Sequence, residues 1–366
     1  MSALERTQRL RERLDAEGLD ALLVSQPENR FYLSGFNGSS GFLIVSRDHA
    51  FIATDFRYYE QSARQSPDYT LLKMTGATPL GWLNEALAEI KPRRLGFEAA
   101  DVSFGFYSAI KRSIVQMPSD ERPRLMSTRG LVESLREVKD PDEIAEIGRA
   151  ASFADRALAQ VVPAIEPGMT EKQVAWELEK SMRDAGADSI SFDTIVASGP
   201  NGALPHHRPS DKPIRSGEPV VIDMGAKING YCSDITRTIV VGAADEQLDK
   251  VYHTVLDAQL NAIDAVRSGM TGHEADSLAR TVIDDAGYGE RFGHSLGHGI
   301  GLAVHEVPVV GPRGSSVLGK DMVFTIEPGI YIPGWGGVRI EDMVVLENGK
   351  VRVITSTPKG IRSPAN

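Results

Sequence analysis

The chain has 366 residues, 41% of them hydrophobic and 25% charged, with a formal net charge of -10. That length exceeds what one hydrophobic core usually serves, so two domains are expected. The acidic balance argues against a general nucleic-acid binder, which needs a basic face. A single cysteine, Cys232, excludes an internal disulfide, so a metal site has to be built from carboxylates and imidazoles.

The opening stretch MSALERTQRLRERLDAEG is charged and helical and lacks the apolar core of a signal peptide. No run approaches 18 apolar residues, so no membrane span is expected and the cytoplasm is the expected compartment. Strands are expected at Ala21–Ser25, Gly41–Ser46 and Ala50–Thr54, and helices at Arg57–Gln65, Pro79–Ile90 and Val102–Ser113. This alternation predicts an α/β domain over residues 1–125. The Gly-rich loop Gly35–Gly41 lacks a Lys-Ser/Thr ending and a following helix, so it reads as a turn entering a strand and not as a phosphate cradle. Residues 126–137 read as a linker. At Asp140-Pro141-Asp142-Glu143 the sequence offers a cap, a proline suited to the first helical position and a capping-box glutamate. The second domain is placed at 138–366.

That domain carries an internal repeat. Gly168-Met-Thr170 opens a helix closing at Ala185-Gly186, and Gly269-Met-Thr271 opens another closing at Ala286-Gly287, at a constant offset of 101 residues. After each helix come a strand, a loop containing a histidine and strands bearing acids. Asp223 parallels Glu327, and Asp234 parallels Glu341. Acids from both halves are therefore expected to meet.

Val220–Ala226 and Tyr231–Val241 read as a hairpin about the turn Asn229-Gly230. A two-residue turn sets Asp223 opposite Thr236, with Asp234 diagonal to it on the same face. Two acids among Val and Ile are costly unless positive charge lies between them. The alternative is an ordinary ion pair with Arg237 or another arginine. Glu327 ends the strand Met322–Ile326, and Glu341 lies in Val338–Leu346, where Arg339 shares its face. In His294-Ser-Leu-Gly-His298-Gly-Ile-Gly301, glycines surround His298 and leave its imidazole accessible. One imidazole and four carboxylates form a hard donor set that suits Mn²⁺, with Co²⁺, Fe²⁺ or Zn²⁺ as other occupants. Two divalent ions would balance the charge, and hydrolysis is the natural chemistry.

Several stretches together resemble the creatinase/aminopeptidase P/prolidase metallopeptidases. They are Ser198–Asn201 with Leu204-Pro205-His206, Asp223 through Asp234 to Thr238, His294–Gly301, His305–Pro308, Glu327-Pro328-Gly329 and Val338–Glu341. The resemblance implies a ribonuclease H-like α/β N-terminal domain and an α+β, duplicated pita-bread catalytic domain. It implies that Asp223 binds one metal, Asp234 and Glu341 bridge two, and His298 and Glu327 complete the second. Glu327 would also be the general base. His206, His294 and His305 would contact substrate, and Arg339 would steady Asp234. His207 is extra to the pattern. The implied activity is cleavage of the bond before a proline at the second position of a peptide. The loop Tyr32–Gly41 tilts the expectation toward an Xaa-Pro aminopeptidase over an Xaa-Pro dipeptidase (prolidase). A catalytically inactive peptide-binding relative would be expected to lack ligands. The resemblance further implies a homodimer.

Overall fold

The computed structural model describes residues 1–76 and 80–360. Contacts divide the chain into two compact units, Met1–Arg136 and Glu137–Asn366.

The first unit opens with α1 (Ala3–Ala16), started by a capping box between Ser2 and Glu5. There follow β1 (Ala21–Val24), α2 (Pro27–Ser34), β2 (Phe42–Ser46), β3 (Ala50–Thr54), α3 (Tyr59–Gln65), β4 (Thr70–Lys73), α4 (Gly81–Ile90), β5 (Arg94–Glu98), α5 (Phe104–Val115), β6 (Arg124–Thr128) and α6 (Glu133–Arg136). The expected start of the fourth helix, Pro79, lies outside the described residues. The six strands form one mixed sheet in the order β4-β3-β2-β1-β5-β6. β1, β2 and β3 pair antiparallel, and β5 and β6 run parallel to β1, as the ribonuclease H-like expectation requires. The Gly-rich loop is closed from within: Arg30 donates to the carbonyls of Gly38 and Gly41, both at 2.6 Å. A strand follows the loop, as expected for a turn entering a strand. Residues 126–137, expected as a linker, instead hold the end of a sheet strand and α6.

The second unit begins with α7 (Pro141–Val161), capped by Asp140 as the sequence indicates. Next come α8 (Glu171–Asp184), β7 (Ser189–Ile190), β8 (Ile195–Ser198), β9 (Pro219–Met224), β10 (Ala226–Ile228), β11 (Tyr231–Cys232) and β12 (Ile235–Val240). The other half holds α9 (Glu246–Ala265), α10 (Gly272–Asp285), β13 (Gly297–Gly299), β14 (Glu306–Val310), β15 (Val323–Ile326), β16 (Gly329–Ile332), β17 (Gly336–Arg339), β18 (Asp342–Glu347) and β19 (Lys350–Val353).

The repeat holds in detail. Both α8 and α10 have 14 residues, a threonine N-cap, a capping box with Gln173 or Glu274, and an alanine C-cap followed by a glycine at positive φ. Val174, Leu178 and Met182 line the buried face of α8, and Ala275, Ala279 and Ile283 stand 101 residues on in α10. The i, i+4, i+8 spacing puts each trio on one stripe. Each half has its own apolar core: α7 and α8 against β8, β9 and β12, and α9 and α10 against β15 and β18. Asp223 lies on one of these strands, and Asp234, Glu327 and Glu341 lie directly beside the ends of others.

Candidate metal centre

The hairpin register is the one the turn dictates. Thr236 pairs with Asp223 on β12 and β9, and Ile228 pairs with Tyr231 next to the Asn229-Gly230 turn. Gly225 interrupts the ladder between β9 and β10. A Cβ there would lie 1.9 Å from the Ser233 carbonyl oxygen, so only glycine lets the chain pass the residue before Asp234. In the other half, Ile326 and Asp342 close the β15–β18 ladder, which leaves Glu327 and Glu341 just beyond it.

One departure from the sequence reading concerns Val338–Leu346. It is two strands: β17 pairs with β16, and β18 pairs with β15. Arg339 and Glu341 therefore do not share a strand face. Glu341 is placed by its backbone N–H on the Thr236 carbonyl and by Thr236 Oγ1 donating to its Oε2 at 2.7 Å.

His298 lies on β13 between two glycines that have a steric reason. A Cβ at Gly297 would meet the Thr325 carbonyl oxygen at 1.9 Å, and one at Gly299 would meet that of Val307 at 2.0 Å. The strand is thus pressed between its neighbours. His298 Nδ1 donates to the Gly299 carbonyl at 3.1 Å, which turns Nε2 toward the acids. Nε2 lies 3.3 Å from Glu327 Oε1 and 3.7 Å from Asp234 Oδ2. Ligand atoms of Asp234, His298 and Glu341 all fall within 4.8 Å of one another.

A cavity of about 510 Å³ is lined by Asp223, Asp234, His298, Glu327, Glu341, Arg339, His206, His294 and His305, so every residue named from the sequence faces it. His207 faces it as well. The His305 ring is 4.3 Å from that of His298. His206 and His305 are exposed to the cavity, whereas both ring nitrogens of His294 are engaged, by the Ser295 carbonyl and by the Tyr331 hydroxyl, each at 2.8 Å.

Arg339 differs from its expected role. It donates to Asp223 Oδ2 at 2.6 Å, not to Asp234, and also reaches Thr236 Oγ1 at 3.1 Å and the Tyr331 hydroxyl at 2.9 Å. Arg237, the alternative partner for Asp223 or Asp234, is committed elsewhere, to Asp342 at 2.7 Å and to backbone carbonyls. Tyr331, Thr236 and the buried Glu171 support the site, and none of them was expected among its functional residues. For Thr236 the signal was present, since the turn register sets it opposite Asp223.

The electrostatics test whether cations fit here. Burial and then the Glu341 charge push the Asp234 carboxyl well above its ordinary range. Burial and then Glu327 do the same to Glu341, and burial also raises Asp223. Burial opposes the charge on Glu327, but the hydrogen bond with His298 outweighs it and draws that carboxyl down to about 2. Burial disfavours the His298 imidazolium, yet its pairing with Glu327 lifts it to about 9. Asp223 Oδ1 is buried with no hydrogen-bond donor among the described residues. Four acids crowded around one imidazole, with an orphaned oxygen among them, form a site that calls for positive charge. The donor set fits divalent metal ions.

Residues 145–348 match the model of metallopeptidase family M24, and residues 6–138 match that of the creatinase/prolidase N-terminal domain. The Xaa-Pro dipeptidase of Pyrococcus horikoshii is 37% identical over 97% of this chain and 98% of its own. A Bacillus anthracis structure described as an Xaa-Pro dipeptidase superposes with a TM-score of 0.94 at 42% identity, covering 99% of both chains. The X-Pro aminopeptidase of Thermotoga maritima superposes with a TM-score of 0.88 at 38% identity, covering 97% of this chain and 99% of that one. The duplicated second unit, the acid-and-histidine cavity and these matches lead to one conclusion: the chain belongs to metallopeptidase family M24, with a creatinase/prolidase N-terminal domain preceding the pita-bread unit.

Proposed function

We propose that this protein hydrolyses the peptide bond between an N-terminal residue and a following proline. The observation that carries the reading is the convergence of Asp223, Asp234, His298, Glu327 and Glu341 on one cavity. These five residues would hold two divalent ions, Mn²⁺ being the best match to the donors. Bound there, the ions supply an acidified water and an electrophile for the substrate carbonyl. The carboxylate-rich floor favours the protonated amine of a peptide N-terminus. Glu327 would take a proton at its carboxylate and return it to the departing proline nitrogen. His206 and His305 face the cavity and are free to donate to the carbonyl oxygen as it gains charge. His294 acts through Tyr331, whose hydroxyl it accepts while Arg339 donates to the same oxygen. That chain fixes Arg339 on Asp223. The proline nitrogen of the substrate carries no N–H, so ring shape and not a donated hydrogen bond has to select it.

The relatives matched over nearly their whole length that are named Xaa-Pro dipeptidases favour a dipeptide substrate. The Thermotoga X-Pro aminopeptidase supports the second reading, cleavage of longer peptides. Hydrolysis of Ala-Pro, Ala-Pro-Ala and Ala-Ala by protein stripped with chelator and reloaded with Mn²⁺ tests both. The dipeptidase reading expects cleavage of Ala-Pro alone. Cleavage of Ala-Pro-Ala in preference reverses the order of the two, and cleavage of neither proline peptide ends the proposal.

A further inference from the structure

We infer that Arg208 anchors the C-terminal carboxylate of the substrate and so restricts the enzyme to dipeptides. The inference rests on the Xaa-Pro reading above. A dipeptide is a zwitterion, and selecting it over a longer peptide requires a cation for its second end. The lining of the cavity includes two guanidinium groups, Arg339 and Arg208. Arg339 is buried and already shared among Asp223, Thr236 and Tyr331. Arg208 is different. Its side chain is 88% exposed, and among the described residues its ion-pair partner is Asp193 at 3.8 Å, itself 83% exposed. A pair that long and that solvated holds little energy, so the guanidinium fork is available for a carboxylate.

The stem beneath Arg208 is fixed. His207 Nε2 lies 2.9 Å from Glu171 Oε2, and Ser210 donates to the same oxygen through its N–H at 3.0 Å and its hydroxyl at 2.7 Å. The residues on both sides of Arg208 are thus tied to one buried carboxylate. The cavity is also polar in the required sense. The acids and Arg208 line the same cavity, and Phe192, Ile195, Val304 and Val309 add apolar surface to its lining. A bidentate guanidinium–carboxylate contact suits the free end of a dipeptide and has no counterpart when that end is amidated or extended.

The test compares Ala-Pro, Ala-Pro amide and Ala-Pro-Ala on wild type, Arg208→Ala and Arg208→Glu. Because Arg208 is exposed, melting temperatures should be unchanged, which is measured alongside. Arg208→Ala should raise KM for Ala-Pro about ten-fold with kcat nearly constant, and leave the amide as it was. Arg208→Glu should weaken Ala-Pro further and again spare the amide. Equal losses on Ala-Pro and its amide, or no loss on either, overturn the anchor while leaving the Xaa-Pro reading intact. Wild type that prefers Ala-Pro-Ala to Ala-Pro also overturns it. Wild type inactive on all three fails one step earlier, in the function itself.

Discussion

Glu171→Gln tests how the cavity wall is held. Glu171 is the first residue of α8, and its side chain is fully buried. Its two oxygens receive Ser198 N–H at 2.8 Å, Ser198 Oγ at 2.7 Å, Asn201 Nδ2 at 3.0 Å, Ser210 N–H at 3.0 Å and Ser210 Oγ at 2.7 Å, with His207 Nε2 at 2.9 Å. One carboxylate therefore pins both ends of the 198–210 segment that carries His206. Burial raises its carboxyl, but these donors, Ser210 foremost, hold it down at about 2 against an ordinary 4.5. At about 1.4 kcal/mol per pH unit, that difference is on the order of 3 kcal/mol of stability. Glutamine keeps the shape, loses the charge and turns one acceptor into a donor facing donors. For a unit of this size, the loss corresponds to a melting temperature lower by roughly 6–12 °C. The sign with pH follows from the depressed value. The contribution is complete above about pH 4.5 and fades as pH falls toward 2, so the gap between wild type and variant should narrow on acidification. Thermal unfolding at several pH values, with hydrogen exchange across 198–210, reads this directly. An unchanged melting temperature, or a gap indifferent to pH, would refute the reasoning.

Three other substitutions probe the frame of the site. Tyr331→Phe removes the hydroxyl joining His294 to Arg339, and should lower kcat by about ten-fold at a stability cost near 1 kcal/mol, measured by steady-state kinetics and urea unfolding. Gly225→Ala puts a methyl 1.9 Å from the Ser233 carbonyl oxygen, and should destabilise by about 3 kcal/mol or more, visible as a lower midpoint in urea or as insoluble protein. Arg237→Ala leaves the buried Asp342 with Lys359 as its one ion-pair partner among the described residues, and should cost roughly 3–5 kcal/mol in chemical denaturation.

The acids and the glycine-flanked histidine were legible because local rules placed them. Asn229-Gly230 set the register that puts Thr236 across from Asp223, and the matched capping sequences at Thr170 and Thr271 revealed the two halves. What stayed hidden depends on contacts far apart in the chain. Arg339 looked like a strand neighbour of Glu341. It reaches Asp223, 116 residues away, because the chain leaves one sheet for another at Ile340. Glu171 lies in the first turn of a helix, and its partners lie 27 to 39 residues on. Residues 126–128 read as the start of a linker, but they end the strand Arg124–Thr128 that completes a sheet from its edge. Periodicity reports which face is buried. It carries no information on which distant group a buried charge will meet.

Metal content measured together with hydrolysis of Ala-Pro, in wild type and in Asp234→Asn, is the most direct test of the central claim. Wild type should retain two divalent ions per chain, lose activity when they are removed by chelation and regain it with Mn²⁺. Asp234→Asn should lose metal and activity together. Full activity in metal-free protein, or a metal-replete protein that cleaves no Xaa-Pro peptide, would contradict the account.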